Sequence, residues 1–231
     1  MRFFQGVSGS VHYRVWPAGS PHTVAVLLHG LGQCSADYHR FARALNRCGI
    51  TVFGIDQIGH GLSEGEWNAV APIGDLASNA SALIALAAAE HPRLPVVLIG
   101  HSLGAGTAVV ALAADPGASA PVTRVVLLGT PEQVPVQGYS PPPVPTLVLH
   151  GADDRRAPIA PIRAWAGTSP TCRLIEIEDA GHDLLHEPVH RRLTREIIEF
   201  ARAEDDRVVV RGRDVHRPRT VGRSAVGVPV R

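Results

Sequence analysis

The chain has 231 residues, of which 19% are charged, and its formal net charge is +1. That balance excludes a protein organised around a basic field for nucleic acid or an acidic membrane surface, and it points to a small-molecule partner. The length suits one sizeable core, and no stretch reaches the ~18 apolar residues of a membrane span.

In chain order, short apolar runs read as strands: "VHYRVW", "TVAVLLH", "ITVFGID", "PVVLIG", "TRVVLLG", "PTLVLHG" and "CRLIEIE". Most are apolar on both faces, as a sheet covered on both sides requires. Between them, Ala-rich or amphipathic segments predict helices over 35–47, 73–90, 102–114, 158–166 and 187–203. This alternation predicts an α/β fold with a mostly parallel, doubly wound sheet and helices on both faces. The fold should occupy residues 1–205, and the Arg-, Val- and Gly-rich stretch 206–231 should be a flexible basic tail. Cys34, Cys48 and Cys172 are odd in number and lack metal-ligand spacing. With an N-terminus broken by Gln5, Gly6 and Ser8 before any sustained apolar run, they lead us to expect an unexported, cytoplasmic protein.

The run "PVVLIG" passes straight into Gly100-His101-Ser102-Leu103-Gly104 and then into the small-residue segment "AGTAVVALAA". A Gly-x-Ser-x-Gly match is weak alone. Strand, sharp turn and helix in succession are the setting in which a serine projects its hydroxyl above a sheet edge. The helix start would also aim free N–H groups, that of Leu103 among them, at a developing oxyanion. A serine needs a base, and the base needs a third group to fix its tautomer. Both belong after later strands, in the order Ser, acid, His. Asp153 and Asp154 follow "PTLVLHG", and either could reach. Of His182, His186, His190 and His216, only His182 lies directly after a strand. His182, His186 and His190 recur at four-residue spacing, as metal ligands on a helix could, yet Gly181 and Pro188 argue against one helix through all three. We therefore expect no metal and read His186 and His190 as solvated or locally hydrogen-bonded.

Four blocks together, "LLHGLGQCSADYHRFARALNRCGITVFGIDQIGHGLSEG", "LIGHSLG", "LVLHGADDRRAP" and "AGHDLLHEP", resemble the α/β-hydrolase superfamily, and within it the monoacylglycerol lipase and lysophospholipase-like (serine aminopeptidase S33-type) branch. The resemblance implies Ser102 as nucleophile, Asp154 rather than Asp153 as acid, and His182 as base. It further implies an oxyanion hole from the backbone N–H groups of Leu31 and Leu103, with His29 and His60 supporting loops. No cofactor is implied.

Two departures stand out. Gln33 and Cys34 occupy positions where this branch commonly has Glu-His, and Cys34 has no activating base beside it in sequence. The branch also carries a long cap, whereas here only "TPEQVPVQGYSPPPVP" separates two strands. Its prolines predict no ordered helical lid, a minimal cap, and an open site with little apolar wall. The sequence thus predicts a serine hydrolase of carboxylic esters acting through an acyl-enzyme. A thioesterase or a cofactor-free perhydrolase would use the same residues, and a ligand-binding receptor or scaffold on this fold is the reading outside enzymes.

Overall fold

The computed structural model describes residues 1–203, except 68, 70, 118 and 119. The expected tail over 206–231, and His216 within it, lie outside the described residues. The strands are β1 (Arg2–Gly6), β2 (Gly9–Trp16), β3 (Thr23–Leu28), β4 (Ile50–Ile55), β5 (Val96–His101), β6 (Val122–Leu128), β7 (Thr146–Gly151) and β8 (Cys172–Ile177). The helices are α1 (His39–Arg47), α2 (Ile73–Glu90), α3 (Leu103–Ala114), α4 (Gln133–Val136), α5 (Ile159–Ala166) and α6 (His190–Arg202), with a 3₁₀ turn over Ser35–Tyr38 ahead of α1.

The strands form one sheet in the order β1-β2-β4-β3-β5-β6-β7-β8. The β1–β2 and β2–β4 pairs are antiparallel and the rest parallel. The doubly wound α/β sheet expected from the sequence is therefore present, with an added antiparallel edge. β3 is flanked by β4 and β5, so the chain leaves it in one direction and returns on the other side. Such a reversal opens a crevice beyond the strands' carboxyl ends.

Alternation within each strand divides the interior into two cores. In β3, Val24, Val26 and Leu28 join α2, α3 and α5 on one face. Ala25 and Leu27 join α1 and α6 on the other. α6 buries Leu193, Ile197, Phe200 and Ala201, the spacing of one helical stripe. Each fully buried Val or Leu contributes about 1.5–3 kcal/mol relative to exposure, and truncating Leu27 to Ala would cost about 2–5 kcal/mol.

Two elements differ from the sequence expectation. β1 lies at the sheet edge, pairs among the described strands with β2 alone, and leaves Phe3 46% exposed. α4 forms inside the proline-rich segment expected to lack helix. Pro135 falls in its first turn, where a backbone N–H has no intrahelical partner to lose. No helix among the described residues is long and apolar enough to cross a membrane.

Candidate active site

Ser102 sits between β5 and α3 with φ 52° and ψ −116°, a left-handed conformation that L-residues seldom adopt and that costs on the order of 1–3 kcal/mol. The Ser102 N–H donates to Leu128 O at 2.9 Å, pinning the turn to β6, and its carbonyl accepts from Ala105 and Gly106 at the helix start. A Cβ at Gly104 would overlap the carbonyls of Leu28 and His29, and one at Gly100 the backbone of Gly104. Both glycines are thus required by close backbone approach.

The Ser102 hydroxyl lies 2.8 Å from His182 Nε2, and His182 Nδ1 lies 2.7 Å from Asp154 Oδ2. A ring that donates from Nδ1 to the carboxylate presents an unprotonated Nε2 to the serine. Asp154 is held in turn: its Oδ1 accepts from the N–H groups of Arg156 and Ala157, both at 2.9 Å. Its side chain is fully buried, whereas that of His182 keeps 14% exposure. Asp153, the other acid the residues left open, is exposed. His150 donates to Ala157 O at 2.7 Å beneath this turn, and burial lowers its pKa.

Leu31 and Leu103 line the same cavity as Ser102. Their N–H groups donate to no other described residue. The Leu31 loop is fixed from beneath by the two histidines expected to be supports. His29, fully buried, donates to Gly30 O at 2.7 Å and accepts the Gln57 N–H at 2.9 Å. Burial pushes its pKa down to about 4, so it is neutral at pH 7. His60 accepts the Gly32 N–H at 3.1 Å and donates to Ile58 O. Cys34 is half-buried, and burial pushes its thiol up rather than activating it.

Sequence reasoning missed the network that ties this loop to the His182 loop. Gln33 Oε1 accepts from the Gly30 N–H at 3.1 Å, and Gln33 Nε2 donates to Asp183 Oδ1 at 3.2 Å. The Tyr38 hydroxyl lies 2.6 Å from Gln33 Oε1 and 2.9 Å from His101 Nδ1, sharing its proton between them. His101 Nε2 donates to the His182 carbonyl at 3.0 Å, and burial lowers the His101 pKa. Glu187 accepts the N–H groups of Gly181 and Asp183, on either side of His182, at 2.8 and 3.0 Å. The signals available were the departure at Gln33 and the Glu of "GHDLLHEP"; neither indicates its partner.

His186 and His190 are hydrogen-bonded locally. His186 faces two acceptors, Asp183 Oδ1 at 2.8 Å and Asp37 O at 3.0 Å. The Asp183 bond raises its pKa, and the same bond holds the Asp183 carboxyl low. His190 donates to Glu187 O. Among the described residues no group of His, Cys, Asp and Glu is arranged to hold a metal ion.

The cavity above Ser102 measures about 770 Å³, within the span of small-molecule sites. Beside His182 it is lined by Gln33, Asp183 and Glu187; an apolar group, Ile73, Val110, Pro131, Val134 and Tyr139, also lines it, with Pro131 and Val134 in front of Gly106. The expectation of little apolar wall is therefore corrected. α4 supplies Val134 and the turn after it Tyr139, while α2 and α3 contribute Ile73 and Val110, so a short segment borrows its wall from helices already in place.

Sheet order, crossovers and a serine at the β5–α3 turn define an α/β-hydrolase fold. The family model for serine aminopeptidase, S33, matches residues 19–143. The chain belongs to that family. It is 34% identical over 116 residues to a monoacylglycerol lipase of Mycolicibacterium smegmatis, covering 49% of this chain and 41% of that protein. The match thus spans about two fifths of the length of the curated relatives. A soluble variant of monoglyceride lipase from Saccharomyces cerevisiae, in complex with a substrate analogue, superposes with a TM-score of 0.75 at 13% identity, covering 87% of this chain and 94% of that one. An α/β serine hydrolase without lid from Xanthomonas campestris superposes with a TM-score of 0.69 at 20% identity, covering 88% and 95%.

Proposed function

We propose that the protein is a carboxylic ester hydrolase with Ser102 as nucleophile, His182 as general base and acid, and Asp154 as the group that orients His182. The observation that carries this reading is the unbroken line from Ser102 Oγ through His182 to Asp154, at 2.8 and 2.7 Å. Ser102 Oγ bonds to the ester carbonyl carbon as its proton passes to His182 Nε2, and the carbonyl oxygen becomes an oxyanion facing the Leu31 and Leu103 N–H groups. Collapse breaks the carbon–oxygen bond to the alcohol, which takes the proton from His182. Water then attacks the acyl-Ser102, gives a proton to His182, and the acid departs as Ser102 regains that proton. The imidazolium formed midway is stabilised by Asp154, which the Arg156 and Ala157 N–H groups keep in place. Homology to lipases favours esters as the small-molecule substrate. The three unpaired cysteines suit the cytoplasm.

A fluorophosphonate probe and a chromogenic ester test this directly. The wild type should label and turn over, Ser102→Ala should do neither, and the substitution should lower kcat by about 10⁴-fold or more. Folded wild type that neither labels nor hydrolyses an ester would overturn the reading. Parallel panels of acyl thioesters and peptidyl amides rank the neighbouring chemistries.

A further inference from the structure

Three residues of the α3 region lack a side chain, and two of them are compelled to. Gly100 and Gly104 have backbone where a Cβ would go, but Gly106 does not. A Cβ there would meet only Val134 Cγ2 at 3.8 Å and Pro131 Cγ at 4.0 Å, ordinary van der Waals distances, and Gly106 lines the cavity. It lies inside a helix, where glycine is less stable than alanine, without a positive φ to require it. Local structure leaves this glycine unexplained, and the space in front of it supplies a reason.

The chemistry decides what enters that space; here the argument rests on the ester hydrolase reading above. The departing alcohol must take its proton from His182 Nε2, so it leaves on the side lined by Gln33, Asp183 and Glu187. The acyl chain is left the apolar part of the lining, Ile73, Val110, Val134 and Tyr139. That limb is apolar, with the exposed Gln133, Gln137 and Arg156 at its rim.

We propose that Gly106 is a specificity-determining residue: the missing side chain opens the apolar limb between α3 and α4, and so admits extended acyl chains. A side chain at 106 projects into this limb towards Val134 and Pro131 and shortens the chain that fits.

Purified wild type, Gly106→Ala, Gly106→Val and Gly106→Leu would be compared on p-nitrophenyl esters from acetate to laurate, and on alkyl acetates of increasing alcohol length. The expected result is a stepwise fall in the laurate-to-acetate ratio of kcat/KM, reaching about tenfold or more in Gly106→Val. Gly106→Ala should melt no lower than wild type, because its Cβ fits, and it carries the test should the larger variants not fold. Acyl-length profiles parallel to wild type in the folded variants would overturn the proposal, as would a fall in melting temperature for Gly106→Ala. A profile shift confined to the alkyl acetates would place the alcohol in this limb and overturn it too. Failure of the wild type on every ester would instead remove the ester hydrolase reading on which it rests.

Discussion

The two sides of the cavity are held open by opposite means. On the His182 side, Gln33, Tyr38, His101, Asp183 and Glu187 fill the space with hydrogen bonds between the loops after β3, β5 and β8. On the α3–α4 side, packed apolar side chains surround a gap left by Gly106. Polar contacts are directional and fix the attitude of an imidazole; apolar contacts are not, and fix only volume. One side is suited to setting geometry and the other to setting size.

The largest effect should come from the elbow where the two sides meet. Gly104→Ala forces a methyl group into the Leu28 carbonyl, an overlap with backbone that no rotamer relieves. It should yield little folded protein by circular dichroism, whereas the same change two residues on, at Gly106, is tolerated. A well-folded, active Gly104→Ala would mean that α3 can move off β3, and the contrast would fail.

A smaller effect should follow from Gln33→Leu. It keeps much of the volume but leaves the Gly30 N–H without its acceptor, the Tyr38 hydroxyl with His101 Nδ1 alone, and Asp183 without one donor. Displacement of the Leu31 loop relative to His182 should lower kcat by about 10- to 100-fold, with KM changing less and the acyl-length profile retaining its shape. A changed profile with normal kcat would mean that the two sides are not functionally separate.

The smallest effect should be a difference in acid sensitivity. His29, His101 and His150 all have pKa values lowered by burial, His29 to about 4. Between that value and about 6.5 the unfolded chain holds a proton on this histidine that the folded chain lacks, so stability falls as pH falls through this range. Each such histidine adds up to about 1.4 kcal/mol per pH unit to the slope. His186, raised by Asp183, acts in the opposite sense, stabilising below its ordinary range and losing that contribution as pH rises through its raised value; at 33% exposure its share is small. Urea titrations should show His29→Gln less stable than wild type at pH 7 with a shallower slope between pH 6.5 and 4. An unchanged slope would mean that His29 is protonated in the folded state.

The parts of the molecule legible in the sequence are those whose physical cause is local. Seven of the eight described strands announce themselves as largely apolar runs, and the elbow shows its two obligatory glycines beside Ser102. Asp154 needed the spacing of a family pattern, because Asp153 has the same chemistry one residue away. β1 was missed because its five residues hold only two apolar side chains, Phe3 and Phe4, and none is buried, too short a run to carry a period. α4 was missed because a proline disfavours helix in general but not in the first turn. The cavity wall was the hardest to foresee: Ile73, Val110, Val134 and Tyr139 come from separate segments, and only the folded chain brings them to one surface. Gln33 was visible as an oddity, but its partners, at Tyr38 and far along the chain at Asp183, were not.

β8 carries His182 just beyond its carboxyl end and is a sheet edge, while Ser102 follows β5, buried along its whole length in the middle of the sheet. Local opening favours edges over centres. On warming, His182 should therefore part from Ser102 while the centre of the sheet stays intact, and amide hydrogens of β8 should exchange with solvent before those of β5. Inactivation would then begin as a reversible loss of register between two loops, well ahead of denaturation.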